Sequence, residues 1–243
     1  RSAAPDKRMI EETQGIILRT IRYSESSLIV HWLTEDHGRV STMVRGALKP
    51  KSSFRGKLDL FYVCQLSFQR STRSTLHNLR EINLKETFER LRHDVEKINQ
   101  ASYVAQLTSK SIEEDTPVEG LFDLLITFLS GLSQSRKPDL LLVLWFEFRL
   151  LQLLGLEPQW RQDRLSQSAK RVIESWSSDD QAAQSNDVSA MATIGMDLFR
   201  YFGRFMTYHL GLPPKLRGQL MDALPLPRRP DQDAEKPRNR EQP

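Results

Sequence analysis

A single cysteine, Cys64, in 243 residues leaves no partner for an internal disulfide and too few thiolates for a cysteine-based zinc site. That usage fits a reducing compartment, so a cytoplasmic protein is expected. The five histidines, His31, His37, His77, His93 and His209, are scattered without metal-ligand spacing, and neither a metalloprotease helix motif nor a nucleophile elbow occurs. Gly56-Lys57 falls short of a phosphate-binding loop. Leu58 stands where Ser or Thr would hold magnesium, and Lys51 stands where the opening glycine is required. No catalytic or metal centre is legible, and an enzyme is not expected. The longest apolar stretch, residues 140–154, is broken by Glu147, Arg149 and Gln152 and is short for a membrane span, so it reads as a buried helix. No internal repeat of fixed period is found.

What the chain does have is enough apolar content, 39%, for a real core between polar ends. Residues 1–12 are expected to form a flexible extension. Arg1–Arg8 lacks the apolar centre of a secretory signal, and Met9 reads as the natural start. Residues 225–243, rich in proline and charge, read as a disordered tail.

Between those ends the hydrophobic period changes once. Over residues 13–84, short alternating segments rich in β-branched and aromatic residues predict five strands, near 14–19, 27–33, 39–45, 58–68 and 75–82. Glu35-Asp36-His37-Gly38 supplies a tight hairpin, with Gly38 providing a positive backbone dihedral. In the fourth strand Leu60, Tyr62, Cys64, Leu66 and Phe68 share the face expected to be core, and the register of Trp32 with Leu28 and Val30 also favours core. The long break at 47–57 between the third and fourth strands suggests an OB-fold. From residue 85 to 224 the spacing becomes helical, with Thr116-Pro117 and Pro138 expected to open helices and a polar insertion expected at about 161–190. The stretch 139–154, apolar on nearly all sides, is expected in the middle of the bundle. The fold class is therefore α+β: an N-terminal five-stranded OB-fold β-barrel followed by an all-α helical domain.

Lys and Arg exceed Asp and Glu by only 35 to 31 over the whole chain, yet the excess is concentrated. Arg39, Arg45, Lys49, Lys51, Arg55, Lys57, Arg70, Arg73 and Arg80 fall in one stretch in which Asp59 is the only acidic residue. The rest of the chain is therefore net negative, and the positive field belongs to the barrel. A polyanion is the natural partner. Arg39, Arg45, Lys49, Lys51, Arg55, Lys57, Arg70 and Arg73 are the candidate nucleic-acid-binding residues, with Phe54 and Phe61 as candidate base-stacking surfaces. The competing reading makes the cations plain solvated surface and the aromatics plain core. The acidic runs Glu113-Glu114-Asp115 and Asp179-Asp180 read as solvated junctions.

Several segments, in order, resemble the RecO recombination mediators. They are Gly15-Ile16-Ile17-Leu18-Arg19, Ser27-Leu28-Ile29-Val30, Thr34-Glu35-Asp36-His37-Gly38, and Arg45-Gly46-Ala47 with Lys49-Pro50-Lys51-Ser52. Leu79-Arg80-Glu81 followed by Phe88, Leu91 and Arg92 resembles that family's passage from barrel to helices. Ala101-Ser102-Tyr103, Phe146-Glu147-Phe148-Arg149-Leu150-Leu151, Leu154-Gly155-Leu156 with Pro158, and Tyr208-His209-Leu210-Gly211 resemble its helical landmarks. The resemblance implies binding of single- and double-stranded DNA, annealing of complementary strands, and assistance to RecA loading with RecR on DNA coated by single-strand-binding protein. It also implies contact between the helical domain and the acidic, apolar tail of single-strand-binding protein, for which Arg200 and Arg204 beside Phe199 and Phe202 are the candidates. Many members carry four zinc-holding cysteines after the position of Trp160, and this chain carries Ala, Ser and Gln-rich polar residues instead, so no cofactor is expected. Two other readings of the residues stay open: an RNA-binding OB module, or a protein-interaction scaffold whose working part is the helical domain.

Overall fold

Alternation of apolar side chains makes the first third of the chain a closed barrel. In a computed structural model, which describes residues 9–177, 188–211 and 215–222, the strands are β1 (Ile10–Arg22), β2 (Leu28–Thr34), β3 (Gly38–Val44), β4 (Val63–Gln69) and β5 (Leu76–Glu86). They close in the order β1-β2-β3-β5-β4, antiparallel throughout except for the parallel β3–β5 pair. This is the five-stranded OB arrangement expected from the sequence. Residues 1–8, 178–187 and 225–243, which hold most of the expected extension, part of the expected insertion and the expected tail, lie outside the described residues, as does Pro213-Pro214, which the sequence marks as the start of a short terminal helix.

One face of each strand fills the barrel. Ile17, Val30, Trp32, Val40, Cys64, Leu66 and Phe68 are buried there together, and the Trp32 indole satisfies its N–H on Thr42 Oγ1 at 2.9 Å. The opposite face is not wholly solvated: Ile16, Leu18, Leu33, Phe61 and Val63 pack into the helical core. The run Ile16-Ile17-Leu18 is apolar without alternation because β1 is covered on both sides.

The helical part follows a short 3₁₀ turn at Glu89–His93 and comprises α1 (Val95–Ser111), α2 (Leu121–Gln134), α3 (Leu140–Leu153), α4 (Gln167–Ser177), α5 (Val188–Leu210) and α6 (Leu216–Asp222). Asp94 caps α1 by accepting from the N–H groups of Glu96 and Lys97, and Asp139 caps α3 by accepting from that of Leu142. As its composition requires, α3 sits centrally, packed on α1, α2 and α5.

Four expectations are corrected. β1 starts at Ile10, so residues 10–12 are strand rather than flexible extension, paired with β4 from Ile10 opposite Gln69 to Glu12 opposite Ser67. The fourth strand starts only at Val63, because Phe61 takes φ +67° and turns the chain into the barrel. Thr116-Pro117 does not open a helix. Segment 112–118 runs instead as a strap along β3, with Asp115 N–H donating to the Arg39 carbonyl at 2.9 Å and α2 beginning only after Gly120. Gly38 is required by that strap as well as by its φ of +67°: a Cβ there would lie 2.1 Å from the Thr116 carbonyl oxygen. Within the expected insertion at 161–190 lies α4, which buries Ala169, Ile173 and Trp176 and half-buries Val172.

Candidate nucleic-acid interface

The connection from β3 to β4 is a succession of tight turns. The N–H groups of Lys49, Ser52, Arg55 and Lys57 donate in series to the carbonyls of Gly46, Lys49, Ser52 and Phe54 at 3.0–3.2 Å. This coil anchors itself by turning Ala47, Phe54 and Leu58 towards the barrel core. Its charged side chains are left outside: Arg45, Lys49, Lys51 and Arg55 are exposed and Lys57 is half-buried. Among the described residues none of the five pairs with a carboxylate. The only acid nearby in sequence, Asp59, is taken by Arg92 at 2.8 Å. The field of the turn is thus uncompensated, and it borders an open cavity of about 490 Å³ lined by Leu28, Leu48, Lys49, Phe54, Arg55 and Tyr62.

The remaining candidates do not join this surface. Arg39 is half-buried, and its Nη1 donates to the Ser109 carbonyl at 2.8 Å, so it fastens α1 to the barrel. Arg70 makes a two-pronged contact with Glu11, at 2.6 and 2.8 Å, and reaches Asp115 at 2.7 Å. The hydrogen bond from Arg70 holds the Glu11 carboxyl below its ordinary range, although burial opposes it. Both arginines are engaged within the chain and are not among the free cations of the basic turn. Arg73 is exposed but lies on the β4–β5 connection. The parallel pairing of β5 with β3 places that connection towards the Gly38 end, whereas the basic turn follows the Val44 end. Arg80 donates to Gln69.

Of the aromatic candidates, Phe61 is 5% exposed and packs in the interface with the helices, so it offers no stacking face. Phe54 is half-buried against the barrel core. On α5, Arg200 and Arg204 are exposed, but the apolar partners expected beside them are not free. Phe199 lies 3.8 Å under the Arg217 guanidinium, and Phe202 is buried. The sequence does not single out exposed Tyr23, and it marks Glu147 as an interruption of an apolar run and as part of a family-like segment, without its buried partners.

Chemistry finds little purchase elsewhere. Burial pushes the Cys64 thiol up to about 11, which leaves it protonated and inert. His31, half-buried on β2 between β1 and β3, is pushed to a lower pKa mainly by desolvation. Its Nδ1 meets Ser41 Oγ at 2.8 Å, while Ser41 donates to Glu114 at 2.7 Å, so the serine proton is directed away from the imidazole. Among the described residues no three His, Cys, Asp or Glu side chains are grouped to hold a metal, and no helix is long and apolar enough to cross a membrane. The donor set does not fit a four-cysteine zinc site, since the chain has one cysteine and it is inside the barrel.

A closed barrel of this strand order, joined to a helical bundle, defines an OB-fold protein, and its turn between β3 and β4 carries an exposed, unpaired set of cations. Sequence profiles agree domain by domain: "Recombination protein O N terminal" matches residues 9–88 and "Recombination protein O C terminal" matches residues 92–202. The chain belongs to the recombination protein O family. It is similar to the DNA repair protein RecO of Rhodopirellula baltica, 34% identical over 144 residues, which are 59% of this chain and 53% of that protein. The protein of the same name from Exiguobacterium sibiricum is 32% identical over 150 residues, 62% of this chain and 59% of the relative. That from Bacillus subtilis is 30% identical over 151 residues, 62% and 58% respectively. The aligned part thus spans 53 to 59% of the length of these relatives.

Proposed function

We propose that this protein is a non-catalytic mediator of DNA repair. Its barrel binds single- and double-stranded DNA, and the bound protein anneals complementary strands and assists RecA loading together with RecR on DNA coated by single-strand-binding protein. The observation that carries this reading is the unpaired cationic turn formed by Arg45, Lys49, Lys51, Arg55 and Lys57. A surface of that kind attracts the sugar-phosphate backbone of any sequence, which annealing requires, since either strand must be held. Family membership supports the placement in DNA repair, and action at the nucleoid in the cytoplasm belongs to the same proposal.

Annealing of complementary strands coated with single-strand-binding protein tests the reading directly. The protein should accelerate pairing, and the K49E/K51E/R55E variant should lose that acceleration. Full acceleration by the variant would move the function away from the basic turn. Matched RNA strands added as competitor should displace DNA poorly; preferential binding of RNA would assign the barrel to another nucleic acid.

A further inference from the structure

Unpaired bases need a flat apolar surface beside the phosphate track, and the aromatics on the basic turn supply little. Phe54 is half-buried in the barrel wall, and the Tyr62 ring lies under the Arg92 guanidinium at 4.6 Å. The large aromatic left open at this end of the barrel is Tyr23, 63% exposed. It follows β1, and its N–H and that of Ser24 both donate to the Ser27 carbonyl, at 3.0 and 3.3 Å, making a tight hairpin into β2. That hairpin is fastened to the basic turn, because the N–H of Leu48 donates to the Ser26 carbonyl at 3.1 Å. Strand register draws the same line: Arg22 stands opposite Leu28, and Leu28 opposite Val44, the residue before Arg45. Tyr23 therefore shares one end of the barrel with exposed Arg22, Arg45, Leu48 and Lys49, against one acid on the hairpin, Glu25.

A single exposed tyrosine is ordinary. A tyrosine on a hairpin hydrogen-bonded to an uncompensated cationic loop is placed where a strand held by its phosphates would present its bases. Tyrosine also suits the task, since it offers a broad rigid face and gives up only two side-chain torsions. We infer that Tyr23 stacks on an unpaired nucleobase of a single strand whose phosphates lie along the basic turn, and so favours single strands over duplex. This rests on the reading of the barrel as the DNA-binding part. In a duplex the bases are already stacked on one another, and Tyr23 gains nothing.

The test uses the full chain with three probes: oligothymidylate, an abasic deoxyribose-phosphate strand of the same length, and a matched duplex. Tyr23→Ala is expected to weaken oligothymidylate binding about tenfold, as loss of one stacked base requires. It should leave the abasic strand and the duplex unchanged, while Tyr23→Trp keeps wild-type affinity. Because the side chain is exposed, melting curves of both variants should match wild type. Unchanged oligothymidylate binding, or equal loss on thymidylate and abasic strands, would overturn the stacking assignment. The K49E/K51E/R55E variant separates the two levels. If it weakens all three probes while Tyr23→Ala shows no base-dependent loss, only the stacking inference fails; if it weakens none, the cationic reading fails and stacking falls with it.

Discussion

Replacing Lys49, Lys51 and Arg55 together by glutamate is expected to weaken single-strand binding by at least about a hundredfold at about 0.1 M salt, with no loss of thermal stability. Each phosphate neutralised on a single strand releases counterions worth about fivefold in affinity at that salt, so three contacts multiply to about a hundredfold before the new repulsion is counted. Stability should hold because all three side chains are exposed and carry no ion pair; the one hydrogen bond among them runs from Arg55 to the Pro50 carbonyl at 3.3 Å. Arg70→Ala is the matching control. It removes a positive charge of the same barrel, but one already spent on Glu11 and Asp115, so it should lower the melting temperature and leave DNA affinity unchanged. Fluorescence anisotropy and thermal melts on the two variants check both halves. The opposite pattern would show that the ion-paired cation, and not the open turn, meets the nucleic acid.

Arg217→Met is expected to cost about 3–5 kcal/mol of folding stability, read from denaturant midpoints at neutral pH. Glu147, in the middle of α3, is 0% exposed, and Arg217, on α6, is 5% exposed. The carboxylate accepts from the Tyr103 hydroxyl at 2.5 Å and from Arg217 Nε at 2.8 Å on one oxygen, and from Arg217 Nη2 at 2.9 Å on the other. Burial works against the Arg217 charge, but Glu147 more than offsets it and its pKa is raised; burial, with the adjacent carboxylate, pushes the Tyr103 hydroxyl up as well. Without the guanidinium, a carboxylate is left in the apolar centre of the bundle with one donor. Combining Arg217→Met with Glu147→Gln should restore part of the loss, because the stranded charge is then gone. A single variant as stable as wild type would mean that the Glu147–Arg217 pair does not hold α6 to the bundle.

The barrel was legible because its segments are short, rich in β-branched and aromatic residues and, apart from the doubly covered run in β1, roughly alternating, and because its turns carry Gly38 and the long break at 47–57. What escaped has specific physical causes. Phe61 sits in a stretch whose alternation continues the fourth strand, and nothing local announces that its backbone turns left-handed and buries the ring against helices. Thr116-Pro117 has the composition of a helix start, yet the hydrogen bond between the Asp115 N–H and the Arg39 carbonyl pulls that segment along β3. α4 has too few apolar positions to stand out from its polar surroundings, although Ala169, Ile173 and Trp176 are buried. For the site, charge density picked out the loop whose cations the structure leaves unpaired, but it could not separate free cations from engaged ones. The partners of Arg70 lie 59 and 45 residues away in sequence, at Glu11 and Asp115, and only the folded chain brings them together. Tyr23 was missed for the same reason, since Leu48 N–H and the Ser26 carbonyl bridge two turns that are distant in sequence.

If the unpaired cations of the basic turn hold nucleic acid, they do so by displacing its counterions. Oligothymidylate affinity measured across a salt series, for wild type and for K49E/K51E/R55E, addresses that directly. If four to six phosphates are neutralised, the wild-type log–log slope should be about −3 to −4, and the variant's should be shallower by about 2. A wild-type affinity indifferent to salt, or identical slopes for the two proteins, would contradict it.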